Sequence, residues 1–201
     1  MQKPRIGIVL STVRQGRFAD TAVRWFHDLA TRRTDLSFEI IDLRDYPLPF
    51  YGTPEADDSG VPARWLAKLQ ELDGIVFVVA EYQHSIPGVL KNALDYVDLE
   101  LQHKPAAFVG YGGVGAARAV EHLRLICLEL EMVPVHAAVH AGLEVMQAVK
   151  QGTRKMADFD YLNDRAAQLL DELAWWARVS REARGASASQ PAAAAGETGR
   201  S

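Results

Sequence analysis

The sequence predicts an α/β domain in which a five-stranded parallel sheet is covered by helices on both faces. Five short apolar runs alternate with segments that carry apolar residues at helical spacing. Two runs, RIGIVL and GIVFVVA, are apolar almost throughout, as is typical of central parallel strands. Because crossovers between parallel strands are right-handed, few strand orders are open. We expect a doubly wound sheet of order 2-1-3-4-5, whose switch point lies between strands 1 and 3.

Each element is predicted from its own pattern. The predicted strands are Arg5–Leu10, Leu36–Leu43, Gly74–Ala80, Pro105–Gly110 and Met132–Ala138. The second has mixed faces and is assigned to an edge. The predicted helices are Phe18 to about Thr31, Val61–Leu72, the segment after Pro87-Gly88, Ala116 to about Glu131, and Met156 to about Arg181. We expect Ser59 to be the N-cap of the second helix, and Val89 to lie on the inner side of the third. The segments 44–59 and 142–152 are predicted to be irregular.

Composition limits the function classes. A chain of 201 residues with 48% hydrophobic residues suits one domain, predicted over 1–184, and the Ala/Gly/Ser-rich segment 185–201 is predicted to be a disordered tail. The net charge of −4 argues against nucleic acid or an anionic membrane as partner. A single cysteine, no apolar run of about 20 residues and no signal-peptide pattern predict a cytoplasmic protein outside the membrane. Cys127 is expected to be buried, and two histidines, His136 and His140, are too few for a metal site.

The segment Ser11–Arg17 follows strand 1 and enters a helix. Unpaired N–H groups at a helix N-terminus favour an anion, whereas Arg14 and Arg17 oppose the helix dipole there unless an anion is bound. Ser11 and Thr12 add hydroxyl groups. These residues therefore indicate a phosphate site. The alternative is two solvated arginines on a surface turn, with Thr12 as an ordinary cap.

Two further loops end at the same edge of the predicted sheet. Glu81–Ser85 follows strand 3, so it lies beside Ser11–Arg17 at the switch point and can share its ligand. Gly110–Gly115 fits a formal GxGxxG pattern after strand 4. A dinucleotide-binding interpretation is disfavoured, because that pattern belongs in the first βα turn and the next strand ends at Val135-His136 without an acid. The alternative is a turn that is Gly-rich only for tight geometry.

The segment Glu81–Asp95, EYQHSIPGVLKNALD, resembles the second signature of the NADPH-dependent FMN reductases. That family usually has Pro-Glu-Tyr-Asn, one residue, Ser, an apolar residue, Pro-Gly, two residues and Lys-Asn-Ala. Here Ala80 replaces the Pro and Gln83 the Asn. Ser11–Arg17 likewise resembles the family's Gly-Ser-Thr-Arg-Pro-Gly-Arg, with Ser11 in place of the leading Gly. Ser11 would be strained if that position required a positive φ.

The resemblance implies a flavodoxin-like fold that binds FMN. It assigns the FMN phosphate to Thr12, Arg14 and Arg17, with a contribution from Ser11. It assigns the ribityl chain and ring to Glu81, Tyr82 and Gln83, and the boundary of the ring to Tyr111, Gly112 and Gly113. No side chain is expected to act as a catalytic acid or base, because the flavin carries the chemistry.

The resemblance also implies an activity and an assembly. NADPH would reduce the flavin, which would then reduce a small electron acceptor such as a quinone, azo dye, nitroaromatic, flavin or oxyanion. The helix after Pro87 resembles the family's dimerisation region, so Asn92, Asp95 and Tyr96 are expected to approach a second subunit in a homodimer or homotetramer. No residue distinguishes NADPH from NADH. Two other hypotheses stay open: an electron carrier without pyridine-nucleotide activity, and a degenerate member that has lost FMN and acts as an interaction module.

Overall fold

The computed structural model describes residues 3–188, apart from the side chains of residues 57, 187 and 188. The strands are β1 (Arg5–Leu10), β2 (Ser37–Asp42), β3 (Gly74–Ala80), β4 (Pro105–Tyr111) and β5 (Val133–Ala141). They form one sheet of order β2-β1-β3-β4-β5, and every neighbouring pair is parallel. The predicted order is confirmed. The edge position of β2 is also confirmed.

Seven α-helices connect or follow these strands within residues 3–188. They are α1 (Ala19–Ala30), α2 (Pro54–Asp58), α3 (Val61–Gln70), α4 (Gly88–Asp95), α5 (Ala117–Glu129), α6 (Leu143–Lys150) and α7 (Asp160–Ala188). One short 3-10 turn, Leu43–Asp45, follows β2, and another, Met156–Asp158, precedes α7. The predicted irregular segment after β2 therefore contains one 3-10 turn and one short helix.

The two faces of the sheet have separate cores. Alternate residues of the strands pack with α1, α6 and α7 on one face and with α3, α4 and α5 on the other. Every residue of β3 and of β4 is buried. On the second face Phe77 stacks on Phe108 with ring centroids 6.3 Å apart. Burial of each such side chain stabilises the fold by about 1.5–3 kcal/mol, so the centre of the sheet is a firm base for the loops at its carboxyl edge.

Three local predictions are wrong. Segment 142–152 contains α6, which the sequence pattern did not indicate because Val145 is the only fully buried residue in it. Its Glu144 in the first turn and Lys150 in the last both favour a helix through the dipole. Ser59 is not the N-cap of α3: Gly60, with φ 64°, occupies that position, and the Ser59 hydroxyl accepts a hydrogen bond from the Val61 N–H at 3.3 Å.

The third correction concerns Val89, which is 40% exposed, whereas Leu90, Ala93 and Leu94 are buried as predicted. Val89 lies at the start of a short helix, where its side chain faces a pocket rather than the core.

The C-terminal helix is longer than predicted. It begins at Asp160 and continues to Ala188, beyond the predicted end near Arg181. The remainder of the predicted tail, 189–201, lies outside the described residues. None of the helices within residues 3–188 combines the length and the apolar character needed to cross a lipid bilayer.

Candidate functional site

Three loops meet at the carboxyl edge of the sheet. We call Ser11–Arg17, after β1, the phosphate-side loop, and Tyr82–Ser85, after β3, the hairpin turn. The third is the glycine turn, Gly110–Gly115, which consists of the last two residues of β4 and the turn that leads to α5. Since β1, β3 and β4 are neighbours in the sheet, the three loops lie side by side, as the predicted switch point requires.

Ser11 ties the phosphate-side loop to β3. It is fully buried, its N–H donates to the Val78 carbonyl at 3.2 Å, and its Oγ accepts from the Ala80 N–H at 3.3 Å. Ser11 is not among the described non-glycine residues with positive φ. The strain that its replacement of the family's Gly could have caused is therefore absent.

The departures at Ser11 and Ala80 complement each other. Proline, which the family usually has in place of Ala80, lacks the N–H that donates to the Ser11 hydroxyl here. Glycine in place of Ser11 would lack the acceptor. Ser11 and Ala80 thus form one hydrogen bond that the usual Gly and Pro cannot form. This bond explains how both departures coexist in a buried position.

Another hydrogen bond joins the phosphate-side loop to the hairpin turn. The Thr12 Oγ1 lies 2.9 Å from the Tyr82 hydroxyl, and the Arg14 N–H donates to Thr12 Oγ1 at 3.4 Å. Thr12 is buried, whereas Arg14 is exposed. Within the described residues the Arg14 guanidinium makes no hydrogen bond or ion pair, so its charge is available for an anion.

Arg17 is placed differently from the prediction. Its side chain is 1% exposed and lies between two carboxylates, Asp20 and Asp42. Nε and Nη2 donate to Asp20 Oδ1, both Nη atoms donate to Asp42, and Nη1 also donates to the Thr12 carbonyl. These contacts engage all five guanidinium N–H groups. No donor is left for the predicted direct contact with phosphate.

The carboxylates hold Arg17 as a cation. The hydrogen bond to Asp42, opposed by burial, raises the pKa of Arg17. Burial works against the charged form of Asp42. Hydrogen bonds from Arg17 and from the Arg44 N–H, together with their charges, outweigh burial and lower the pKa of Asp42.

Glu81 is also paired. Its side chain is 6% exposed and forms an ion pair with Arg118 of α5. Its Oε2 is buried and has no hydrogen-bond partner among the described residues. The prediction that Glu81 contacts the ribityl chain or ring is thus compatible with one free carboxylate oxygen, while the other binds Arg118.

The hairpin turn is held by its own backbone. The Tyr82 N–H donates to the Ser85 carbonyl at 3.0 Å, and the Ser85 N–H donates to the Tyr82 carbonyl at 3.1 Å. Between them Gln83 has φ 48° and His84 has φ 72°, the geometry of a type I′ turn. Side chains disfavour this left-handed region by about 1–2 kcal/mol per residue, and Asn tolerates it better than Gln. Gln83 is exposed at the tip.

The glycine turn is tight for steric reasons. A Cβ on Gly110 would lie 2.4 Å from the Gly115 carbonyl oxygen, and Gly115 itself has φ 64°. Gly112 packs against Glu81, because a Cβ there would lie 3.5 Å from the Glu81 Cβ. Gly113 is exposed with open space around it. The backbone at Gly113 therefore has open space beside it, and the contact of Gly112 and Gly113 with the flavin ring stays a prediction.

The Tyr111 side chain does not face the same open space. It is buried, and its ring lies against Phe18 with centroids 5.5 Å apart. Burial raises the pKa of its hydroxyl, which has no hydrogen-bond partner among the described residues. If Tyr111 bounds a flavin ring, it does so through its backbone.

An open pocket of about 730 Å³ extends from the phosphate-side loop to the hairpin turn and α4. Its other wall is the segment after β2, and its lining includes Thr12, Arg14, Arg44, Leu48, Phe50, Tyr82, Val89 and Asn92. Asn92 fixes that wall: its Nδ2 donates to the Pro49 carbonyl at 2.8 Å, and its Oδ1 accepts from the Tyr51 N–H at 2.9 Å. The pocket is thus charged at one end and apolar at the other.

The residues fit a bound FMN. The phosphate end has the free guanidinium of Arg14, and a buried carboxylate oxygen next to the hairpin turn, Glu81 Oε2, lacks a hydrogen-bond partner within residues 3–188. Buried polar atoms in that condition are costly unless a ligand or water binds them. In the same part of the chain, no group of three or more His, Cys, Asp or Glu side chains is arranged to hold a metal ion.

Sequence reasoning missed Asp42, Arg44, Asn92 and Arg118 as parts of this site. Asn92 belongs to the Lys-Asn-Ala signature, so its signal was present, but it was assigned to subunit contact. The other three act through partners more than 20 residues away in the chain, which no local pattern reveals.

Comparison with known proteins identifies the family of this chain. Residues 4–144 match the family model described as NADPH-dependent FMN reductase. An NAD(P)H-dependent FMN reductase of Schizosaccharomyces pombe is 32% identical over 64% of this chain and 68% of its own length. A quinone reductase of Escherichia coli is 28% identical over 84% of this chain and 93% of its own.

A solved structure shares the fold. The flavoenzyme NAD(P)H:(acceptor) oxidoreductase FerB from Paracoccus denitrificans superposes with a TM-score of 0.65 at 20% identity, over 85% of this chain and 97% of that one. The flavodoxin-like fold follows from this likeness and from the sheet order. Because the family model covers well over half of the sequence, the chain belongs to the NADPH-dependent FMN reductase family and is an oxidoreductase whose cofactors are FMN and NAD(P)H.

Proposed function

We propose that this enzyme transfers electrons from NADPH, through FMN in the pocket described above, to a small planar acceptor of the quinone, azo or flavin class. The observation that carries the proposal is the pocket itself: about 730 Å³, with a free arginine at one end and apolar side chains at the other. A planar ring with a phosphate tail has the same asymmetry.

The chain's own residues would orient and enclose the cofactor. Thr12, Arg14 and the adjacent N–H groups would bind the phosphate, while the hairpin turn would hold the ribityl chain and ring edge. The backbone of Gly112 and Gly113 would bound the ring. When bound, FMN supplies the redox chemistry by accepting a hydride from the nicotinamide and passing electrons to the acceptor. Tyr82, which is 38% exposed and lines the pocket, would cover the ring and exclude water.

A quinone is the acceptor we favour. The Escherichia coli relative is named a quinone reductase, and the far end of the pocket is lined by Leu48, Phe50 and Val89. These side chains bind a flat apolar molecule without selecting its substituents, so we expect low specificity among small quinones. Preference for NADPH over NADH would require a cation for the extra phosphate, and Arg44 at the pocket wall is the candidate, since its Nη1 makes no hydrogen bond among the described residues.

The test starts from absorption spectroscopy of the purified full chain with FMN. We expect near-stoichiometric flavin bands that NADPH bleaches without air, and steady NADPH oxidation when a quinone is added. Flavin bands that neither NADPH nor NADH bleaches would favour the electron carrier. An apoprotein that cannot be reconstituted with FMN would favour the interaction module. A ratio of kcat/KM values near one for NADPH and NADH would remove the proposed selection of the phosphate.

The assembly stays a prediction. We propose a homodimer or homotetramer, which is supported by exposed apolar side chains on α5, with Leu125 64% and Leu128 59% exposed. Light scattering at several concentrations measures it directly, and a monomer at all of them would contradict it. The cytoplasmic location also stays a prediction, to be tested by cell fractionation.

A further inference from the structure

Three consecutive carbonyl groups of the phosphate-side loop are bound by two arginines, Arg17 at the end of the loop and Arg44 after β2. The Thr12 carbonyl accepts from Arg17. The carbonyls of Val13 and Arg14 accept from Arg44, at 3.3 Å from Nε and 2.5 Å from Nη2. A loop that binds phosphate with its backbone must keep its carbonyl oxygens, which are negative dipole ends, away from the anion.

The orientation of the peptide units follows from these bonds. In a planar trans peptide the C=O and the following N–H point in opposite directions. Fixing the carbonyls of residues 12, 13 and 14 therefore turns the N–H groups of residues 13, 14 and 15 to the other side. The Arg14 N–H meets Thr12 Oγ1, whereas those of Val13 and Gln15 make no hydrogen bond within the part of the chain that the structure describes.

Asp42 connects the two arginines. Its carboxylate accepts from both Nη atoms of Arg17, and Oδ1 accepts from the Arg44 N–H at 3.0 Å. It stands at the end of β2, in register with Leu10 at the end of β1. The sheet thus sets the distance between Asp42 and the loop, and Asp42 holds the Arg17 guanidinium and the backbone of Arg44.

Of the three guanidinium groups around the loop, only that of Arg14 makes no hydrogen bond or ion pair within residues 3–188. Asp20 and Asp42 lie against Arg17, and Arg44 is exposed with Nε and Nη2 donating to the loop. Arg17 and Arg44 therefore serve the loop, while Arg14 remains for the ligand.

We propose that Asp42, Arg17 and Arg44 form an arginine clamp that presets the phosphate-side loop for the FMN phosphate. These are positioning residues, since none of the three need touch the cofactor. The inference rests on the proposed binding of FMN phosphate at this loop. It extends that proposal because it requires an acidic residue, Asp42, for the binding of an anion. The negative charge of Asp42 alone would oppose that binding.

The sign of that effect provides the test. Removing a negative charge near a phosphate should tighten FMN binding if Asp42 acts only through its field. If it acts through the clamp, Asp42→Asn should weaken FMN binding by about tenfold, because the Arg17 guanidinium loses the carboxylate that holds it at the Thr12 carbonyl and the Arg44 backbone is anchored less firmly. Riboflavin, which lacks the phosphate, should bind Asp42→Asn as it binds the wild type. The readout is the ratio of Kd values for riboflavin and FMN, from flavin fluorescence quenching by the apoprotein.

A second variant keeps the charge and leaves the buried ion pair intact. Lysine at position 44 cannot donate a fork to two carbonyls, so Arg44→Lys should weaken FMN binding by about three- to tenfold without affecting riboflavin. Arg44 is exposed, and the variant should fold. Arg165→Lys on the exposed face of α7 is the matched control and should change neither Kd.

The outcomes separate cleanly. Lower FMN affinity with unchanged riboflavin affinity in both variants supports the clamp. Unchanged or tighter FMN binding overturns it, and so does an equal loss for both flavins, which would indicate general damage to the fold. If the wild type itself binds riboflavin as tightly as FMN, the assignment of the phosphate to this loop fails, and the clamp fails with it.

Discussion

The two loops that enclose the candidate phosphate and ring are held in contrasting ways. The phosphate-side loop depends on side chains: arginines bind its carbonyls, and carboxylates bind the arginines. The hairpin turn depends on its backbone, through two hydrogen bonds of its own and two residues with positive φ. The first loop should therefore respond to charge and to pH. The hairpin turn should respond to the conformational preference of single residues and hardly at all to charge or pH.

The largest expected effect is that of Arg17→Ala. It leaves Asp42, whose side chain is 24% exposed, without its partner and frees the Thr12 carbonyl. We expect a loss of about 2–3 kcal/mol in the free energy of unfolding, below the full cost of breaking a buried pair because Asp20 is partly exposed. Urea unfolding of the apoprotein measures it. Arg14→Ala is the control and should leave stability within about 0.5 kcal/mol of wild type. Equal stabilities for the two variants would contradict the buried role of Arg17.

Acid should distinguish the same loop from the hairpin turn. The lowered pKa of Asp42 means that its ion pair contributes stability above its unfolded-state pKa, about 3.9, and loses that contribution as the pH falls through the folded value. The difference in unfolding free energy between wild type and Asp42→Asn should thus be constant from pH 7 to 5 and shrink below about pH 4. Denaturant unfolding at each pH gives the difference. A difference in unfolding free energy that grows as the pH falls would contradict the prediction that Asp42 loses its stabilising contribution in acid.

The bond between Ser11 and Ala80 joins the phosphate-side loop to the end of β3 and can be broken from either side. Ser11→Gly leaves the Ala80 N–H buried without an acceptor, and Ala80→Pro removes the donor, so each should cost about 1–2 kcal/mol. The double variant restores the family's usual pair and should cost less than the sum of the single changes. A double-mutant cycle of unfolding free energies measures the coupling. Strict additivity would show that the two positions are independent.

The smallest effect is expected at the tip of the hairpin turn. Gln83→Asn places the family's usual residue at φ 48°, which asparagine adopts more readily, and should stabilise the chain by about 0.5 kcal/mol. Gln15→Asn, at an exposed position in the phosphate-side loop, is the comparison and should have no such effect. A destabilising Gln83→Asn would mean that the glutamine side chain makes its own contribution to the turn.

The sheet was predictable because its strands are long apolar runs and crossovers have one hand. The order and the five strands follow from those two facts. α6 was not predictable, since a short helix with a single fully buried residue has no stripe to detect. Val89 was misplaced for a related reason: helical spacing identifies a face, but at the first turn of α4 that face borders a pocket.

The site was predicted by location more fully than by role. The resemblance pointed to three loops that follow neighbouring strands, and Thr12, Arg14 and Tyr82 line one pocket, whose lining does not include the glycine turn. It placed Arg17 on the phosphate, whereas the structure places it on Asp20 and Asp42. An arginine in a signature has the same letter whether it binds a ligand or a carboxylate. The partner that decides, Asp42, lies 25 positions away on another strand.

The burial of Cys127 has a consequence for the chemistry that the enzyme handles. Quinones are electrophiles that add to thiolates, and this chain has one thiol. Cys127 lies on the inner face of α5 and is fully buried, and burial raises its pKa to about 12. At neutral pH it is a shielded neutral thiol, protected from alkylation by the substrates we propose. A thiol reagent will therefore label only molecules that have opened, and the rate of labelling becomes a clock for unfolding in the presence of each flavin and acceptor.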